Sequence, residues 1–428
     1  MCAVLLKNVS IIYDSYSRRL LRGRDIFVGD NGIESILEGE SPSGSKRDFV
    51  VDCSGKAVTQ GLGNSHTHLG MTLLRGHADG LSLRQWLNDR VWPIERRLKP
   101  EHIRTGVELG LTESIRAGVT GLTDMYFSSQ EVARAAASSG LRVLVAPAIF
   151  DTGVPDSSLN NCLSVINSQP VGGLVSFALG PHSIYACSEE TLMKVGEFSR
   201  AKSLRVHIHL AETRLEQVEC ERSKGMREVE YLRKMDLLSK RLTAAHAVWI
   251  TKQEANLLGK AGASSVFCPV SNSKLAEGGI SPVPELLAAG TNVSFGTDGP
   301  ASNNSLSLIE TMKFGSLLLS HSRWDPQSVT PSVCLEMATK NAYAAMDFPE
   351  NHLAPGGPAD LIAFDLRQPG MLGALSADFP NLLVYSGPSV DHVIVNGQPV
   401  MLDRRILTMD EEEIKNRFES TVSNIYQT

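Results

Sequence analysis

The stretch GNSHTHLG, residues 63–70, sets His66 and His68 two positions apart. On an extended segment, residues i and i+2 face the same side. Both imidazoles can therefore reach one ion. Neutral imidazole joined by carboxylate suits zinc, iron(II) or manganese(II) better than calcium or magnesium. A lone His-x-His pair is as compatible with packed polar residues as with a metal. Further residues capable of chemistry recur downstream, at Asp124, His182, His209, Glu212, His246 and Asp298. Each closes an apolar, strand-like run: VTGLTD, LVSFALGPH, RVHIHLAE, RLTAAH and NVSFGTD. His207 and His209 form a second His-x-His pair, of which only one member need be a ligand. Imidazoles and carboxylates at the ends of so many apolar runs point to one shared site.

A fold must bring those ends together. Between residues 100 and 300, apolar runs alternate with helical patterns such as HIRTGVELGLTESIRAG and SEETLMKVGEFSRAKS. Repeated strand–helix units imply a parallel sheet. About eight of them suggest a closed (β/α)8 barrel, whose catalytic groups sit where strands end. A doubly wound open sheet is the alternative, but no GxGxxG opens a helix after the first strand. The first 55 or so residues read as short strands, with a turn signal at residues 29–32 and no convincing helix before Pro100. The other end reads as further strands, ADLIAFDL and VDHVIVNGQPVML, then an acidic helical tail from Asp410. The class is α/β.

Composition narrows the partners. Of 428 residues, 42% are hydrophobic and 21% charged, as in a soluble globular protein. The net charge of −6 argues against nucleic acid or an anionic membrane as partner. No apolar run approaches the ~18 residues of a membrane span. The first residues, MCAVLLKNVSIIYD, lack the apolar core of a signal peptide. Seven cysteines without CxxC spacing read as reduced, buried thiols of a cytoplasmic protein.

The segments NSHTHLGMTLLRGHAD, WLNDRVWPIERRL, GPHSIYACSEETL, VHIHLAET, LTAAHAV, PVSNSKLAEGGISPVPELLAAG and GTDGPASNNSLSLIETM carry a resemblance. In order and spacing they resemble the amidohydrolase superfamily, within it the 5'-methylthioadenosine/S-adenosylhomocysteine deaminases. That resemblance implies a distorted TIM barrel over residues 59–355 and a small β-sandwich built from 1–58 plus 356–428. It makes His66, His68, His209 and Asp298 the ligands of one divalent ion per subunit, zinc first, with Fe2+ or Mn2+ as alternatives. Glu212 would protonate the ring nitrogen, His246 would hydrogen-bond the attacking oxygen, and Asp298 would also accept the water's proton. Glu95 would hold the ribose hydroxyls and His182 would lie near the sugar. Trp86 and Trp92 would wall the purine, although core packing is the better use for at least one of them. The substrate would be a small nucleoside, with no nucleic acid or membrane partner and a homo-oligomer left open.

One departure bears on substrate. Relatives that take S-adenosylhomocysteine carry arginines after the third strand, whereas no Lys or Arg lies between Arg142 and Lys194 here. Adenosine, 5'-deoxyadenosine and 5'-methylthioadenosine are expected ahead of S-adenosylhomocysteine. The alternatives are an amidohydrolase for another ring (guanine or 8-oxoguanine deaminase, cytosine-type deaminase, triazine hydrolase) and, more remotely, a non-catalytic binding protein.

Overall fold

The computed structural model describes residues 3–29, 32–38, 48–77, 80–151, 156–168 and 173–426. Asp30 and Asn31, at the centre of the expected 29–32 turn, lie outside them.

Eight parallel barrel strands occur in chain order: β1 (Leu62–Thr67), β2 (Val119–Tyr126), β3 (Arg142–Ile149), β4 (two short pieces, Val175–Phe177 and Gly180–Pro181), β5 (Val206–Leu210), β6 (Leu242–His246), β7 (Ser264–Phe267) and β8 (Asn292–Phe295). Every residue of β2 and β3 is buried. Strands covered on both faces read as continuous apolar runs, which is how these appear in the sequence. Neighbours pair in order from β1 to β4 and from β5 to β8. Two contacts close the ring. His207 N donates to Leu179 O at 2.8 Å between β4 and β5, and Asp298 N donates to His66 O at 3.0 Å beyond β8. Gly296 permits the second. A Cβ there would lie 2.8 Å from His66 Cβ and 2.7 Å from Val266 Cγ1.

Helices connect the strands, and local signals set their ends. In the helix Lys252–Ala261, Thr251 and Glu254 form a reciprocal capping box, and Gly262 ends it in the left-handed conformation. The expectation of no helix before Pro100 is wrong. Leu83–Trp86, a π turn Leu87–Val91 and Trp92–Glu95 form one helical segment. Pro93 obscured it in the sequence. Here it sits in the first turn of the last piece, directly after the π turn.

Among the described residues the chain ends share one nine-stranded sheet. Leu361–Asp365 pairs antiparallel with Lys56–Gln60, which runs parallel to Val4–Asp14. Arg142 of β3 pairs with Asp360 at 2.6 Å, both side chains buried, tying barrel to sheet. All six described cysteines are free and buried. No helix among the described residues is long and apolar enough to cross a membrane.

Candidate active site

The polar strand ends meet at one mouth of the barrel. His66 lies in β1 and His68 just past it, His209 in β5, His246 at the end of β6, and Asp298 three residues beyond β8. His68 Nε2 is 3.3 Å from His209 Nε2 and 3.2 Å from Asp298 Oδ1. His66 Nε2 lies 3.4 Å from the same oxygen and has no hydrogen-bond partner, although the residue is wholly buried. The other nitrogens explain the arrangement. His68 Nδ1 donates to Met125 O at 2.6 Å, and His209 Nδ1 donates to His182 O at 2.8 Å. A neutral imidazole has one proton, so both rings turn bare Nε2 lone pairs toward each other. Such a pair repels unless a cation sits between them.

The donor set fits a metal ion. Zinc–nitrogen distances of about 2.0–2.1 Å at tetrahedral angles put ligand atoms roughly 3.3–3.4 Å apart, close to the separations above. Burial lowers the pKa of His68, but the hydrogen bond and charge of Asp298 outweigh it and raise the value. The site is built for positive charge. Three overlapping groups of ligand atoms converge within 4.8 Å: His66, His209 and His246; His66, His68 and Asp298; Glu212, His246 and Asp298.

Surrounding groups hold these side chains in place. Asp298 accepts from Ser271 Oγ at 2.5 Å, Gly299 N at 2.8 Å and Ser302 Oγ at 3.1 Å. His207 stands behind His66, its Nε2 2.8 Å from His66 Nδ1. Ala211, His246 and Asp298 have φ of 52°, 72° and 63°. Such residues cost about 1–3 kcal/mol each and cluster where a site demands them. Asp124 is not brought to the cluster. It accepts from Leu69 N at 2.6 Å and Thr67 Oγ1 at 3.2 Å, supporting the turn after β1.

A cleft opens over the cluster, lined by His68, Trp86, Trp92, Glu95, Tyr126, Phe150, His182, Tyr185, Glu212, His246 and Asp298 among others. Tyr126 Oη donates to Glu95 at 2.6 Å, and burial pushes the Glu95 carboxyl up to about 7. Trp86 is buried with no partner for its indole N–H. The His182 ring lies 4.4 Å from that of Phe150 and 4.5 Å from that of His209, and burial pushes its pKa down to about 3. Burial, with Glu277 beside it, drives Glu212 well above the usual carboxylate range. His246 Nε2 lies 3.7 Å from Glu212 Oε1. Sequence reasoning singled out neither Tyr126 nor Ser271, Asn272 and Glu277. The last three sit in and just after the short helix Pro269–Lys274, within a segment quoted above for its likeness alone.

The amidohydrolase family model matches residues 57–400. This chain belongs to the amidohydrolase family. Among curated relatives, 5'-deoxyadenosine deaminase of Methanothermobacter thermautotrophicus is 37% identical over 410 residues, covering 95% of each chain. The 5-methylthioadenosine/S-adenosylhomocysteine deaminase of Pyrococcus furiosus is 37% identical over 428 residues, covering 97% of this chain and 99% of its own. Among solved structures, an adenosine deaminase from Xanthomonas campestris with bound zinc superposes with a TM-score of 0.94 at 27% identity. The match covers 100% of this amidohydrolase and 99% of that chain.

Proposed function

We propose that this amidohydrolase deaminates adenosine-type nucleosides hydrolytically. Water adds at C6 of the purine, and the 6-amino group leaves as ammonia. The carrying observation is the convergence of three imidazole Nε2 atoms and the Asp298 carboxylate at the floor of a cleft, with Glu212 and His246 beside them. The relatives named above support the substrate class.

His66, His68, His209 and Asp298 would hold one divalent ion, zinc first, then Fe2+ or Mn2+. When bound, such an ion makes a water acidic enough to attack near neutral pH. The chain's own residues do the rest. Buried Glu212 keeps a proton to give to N1, the ring nitrogen beside the attacked carbon. The His246 imidazole hydrogen-bonds the incoming oxygen as charge develops on it. The ionised Asp298 accepts the water's proton and returns it toward the departing amine. Glu95, oriented by Tyr126, accepts from the ribose hydroxyls. His182 lies near the sugar, and the Trp86 indole walls the base with its N–H free to donate.

The described cleft lining contains no Lys or Arg. Arg75 is turned away, pairing with Glu113 and donating to Asn304 O at 3.0 Å. Arg84 lines an adjoining pocket, where it pairs with Glu219 at 3.2 Å. Neutral 5' groups (hydroxyl, hydrogen, methylthio) are therefore favoured over a homocysteine carboxylate, which wants a fixed cationic fork. The units are the barrel, 59–355, and a small β domain from 1–58 plus 356–428. The second is the part for which the resemblance implies a β-sandwich.

The test is kcat/KM for adenosine, 5'-deoxyadenosine, 5'-methylthioadenosine and S-adenosylhomocysteine, followed as adenine becomes hypoxanthine. Turnover of the neutral nucleosides, at least equal to that of S-adenosylhomocysteine, is expected. Turnover of guanine or a triazine with none of the adenosines would overturn the assignment. A tenfold preference for S-adenosylhomocysteine would overturn the reading of the 5' group.

A further inference from the structure

His246 offers two ring nitrogens, and they stand in opposite surroundings. Nε2 points into the cluster and has no hydrogen-bond partner. Nδ1 lies 2.9 Å from the side-chain nitrogen of Asn272. That same nitrogen lies 2.6 Å from Oε2 of Glu277. An amide nitrogen has two protons to give and accepts none. It therefore donates one to Glu277 and one to His246, and the receiving Nδ1 must be bare. Turning the amide over would press its oxygen against the Glu277 oxygen. With Glu277 ionised, or with its proton on Oε1, Oε2 accepts; only a proton on Oε2 itself would let the amide turn over. The amide orientation is thus set by Glu277, not by His246.

Both partners are built in. Asn272 and Glu277 are 5% and 8% exposed. Glu277 N donates to Asn272 O at 3.1 Å, and the Trp249 indole donates to Glu277 O at 2.9 Å, which fixes the turn carrying the carboxyl. His68 and His209 show the reverse pattern, each spending its Nδ1 proton on a backbone carbonyl.

We infer that Asn272, oriented by Glu277, locks His246 in the Nε2–H tautomer, so that His246 is a hydrogen-bond donor to the reacting oxygen and not a metal ligand. Asn272 and Glu277 are then positioning residues acting through His246. The inference rests on the reading above that His246 works beside the reacting water. It also chooses among the three converging groups: the set His66, His209 and His246 cannot hold the ion, because one of its three Nε2 atoms carries a proton.

The experiment is ring-nitrogen NMR of the zinc-loaded, full-length chain with labelled histidine, the His246 signals being assigned by their loss in His246→Gln. A protonated Nε2 and a bare Nδ1 are expected in the unaltered protein. In Asn272→Asp the new carboxylate accepts from Nδ1–H, so the tautomer should flip and kcat should fall. The size of the fall is roughly 10²–10⁴-fold, as for loss of a correctly protonated catalytic imidazole, with KM little changed. Glu277→Gln can still present a carbonyl to Asn272, so it should keep the tautomer. Glu277→Leu removes the acceptor and should give mixed tautomers. A protonated Nδ1 in the unaltered chain overturns the proposal without need of any variant. So does Asn272→Asp that flips the tautomer and keeps full kcat. Near-normal turnover in His246→Gln would instead overturn the role given to His246 and leave the tautomer result standing.

Discussion

In the proposed reaction Glu212 brings a proton to the substrate, and burial among other carboxyls is what keeps one on it. Glu212→Gln preserves shape and removes the transferable proton. Metal content should stay at the native level while kcat falls roughly 10²–10⁴-fold, the range for a general acid. Near-normal kcat would reduce Glu212 to a packing residue. His68→Ala acts on a different property. It removes one of two facing Nε2 atoms, so metal measured after gel filtration should drop below half an equivalent, with turnover lost. At this scale the sequence was informative about donors and poor about what orients them. His66, His68, His209, Glu212, His246 and Asp298 could be picked out because each ends an apolar run and is chemically costly to bury. Asn272 and Glu277 do not end strands, and a polar residue in a loop looks the same whether it faces water or an imidazole. His182 and Glu95 line the cleft, but only the fold reveals that the His182 carbonyl orients His209 and that Tyr126 is the partner of Glu95.

Elements differ in how openly the sequence declares them. The buried barrel strands are continuous apolar runs and can be read directly. The helical segment over residues 83–95 is not, because its π turn breaks the 3.6-residue period and Pro93 reads as a stop. That segment nevertheless supplies Trp86, Trp92 and Glu95 to the cleft. Contacts between distant elements leave even less trace. Arg142 ends up beside Asp360 because the two chain ends share a sheet packed on the barrel. Asp360 also accepts from Tyr343 Oη at 2.9 Å and Asn396 N at 2.6 Å. Asp360→Ala would strand a buried guanidinium, a loss of about 3–5 kcal/mol for a broken buried pair. The urea midpoint should fall accordingly. An unchanged midpoint would mean that water reaches Arg142 and that the barrel and sheet are held by apolar packing alone.

Across the whole molecule, the site's electrostatics become a dependence of stability on pH. Burial pushes Glu216 up to about 7, and Glu228 and Glu277 up to about 8. Unfolded, such carboxyls titrate near about 4.3. Between those limits the native chain holds more protons than the unfolded one, so these groups make stability fall as pH rises, by up to about 1.4 kcal/mol per pH unit each. The buried histidines act the other way. His182 and His246 are pushed down to about 3, and His207 and His209 well below their ordinary value, so they favour folding as pH rises toward about 6.5. With metal removed by chelation, stability should decline from pH 6.5 toward pH 8, where the unfolded histidines lose their charge and the raised carboxyls still titrate. Glu228 isolates the carboxyl part of that decline. It accepts from Ala211 N at 2.6 Å, behind the catalytic strand end, and its bond survives replacement by an amide oxygen. Glu228→Gln has no proton to lose, so its urea midpoint should decline less between pH 6.5 and 8 than that of the unaltered chain, and should exceed it at pH 8. Parallel curves would show that Glu228 already ionises at the pH of an exposed carboxyl, and that the wall behind Glu212 is wetter than its packing implies.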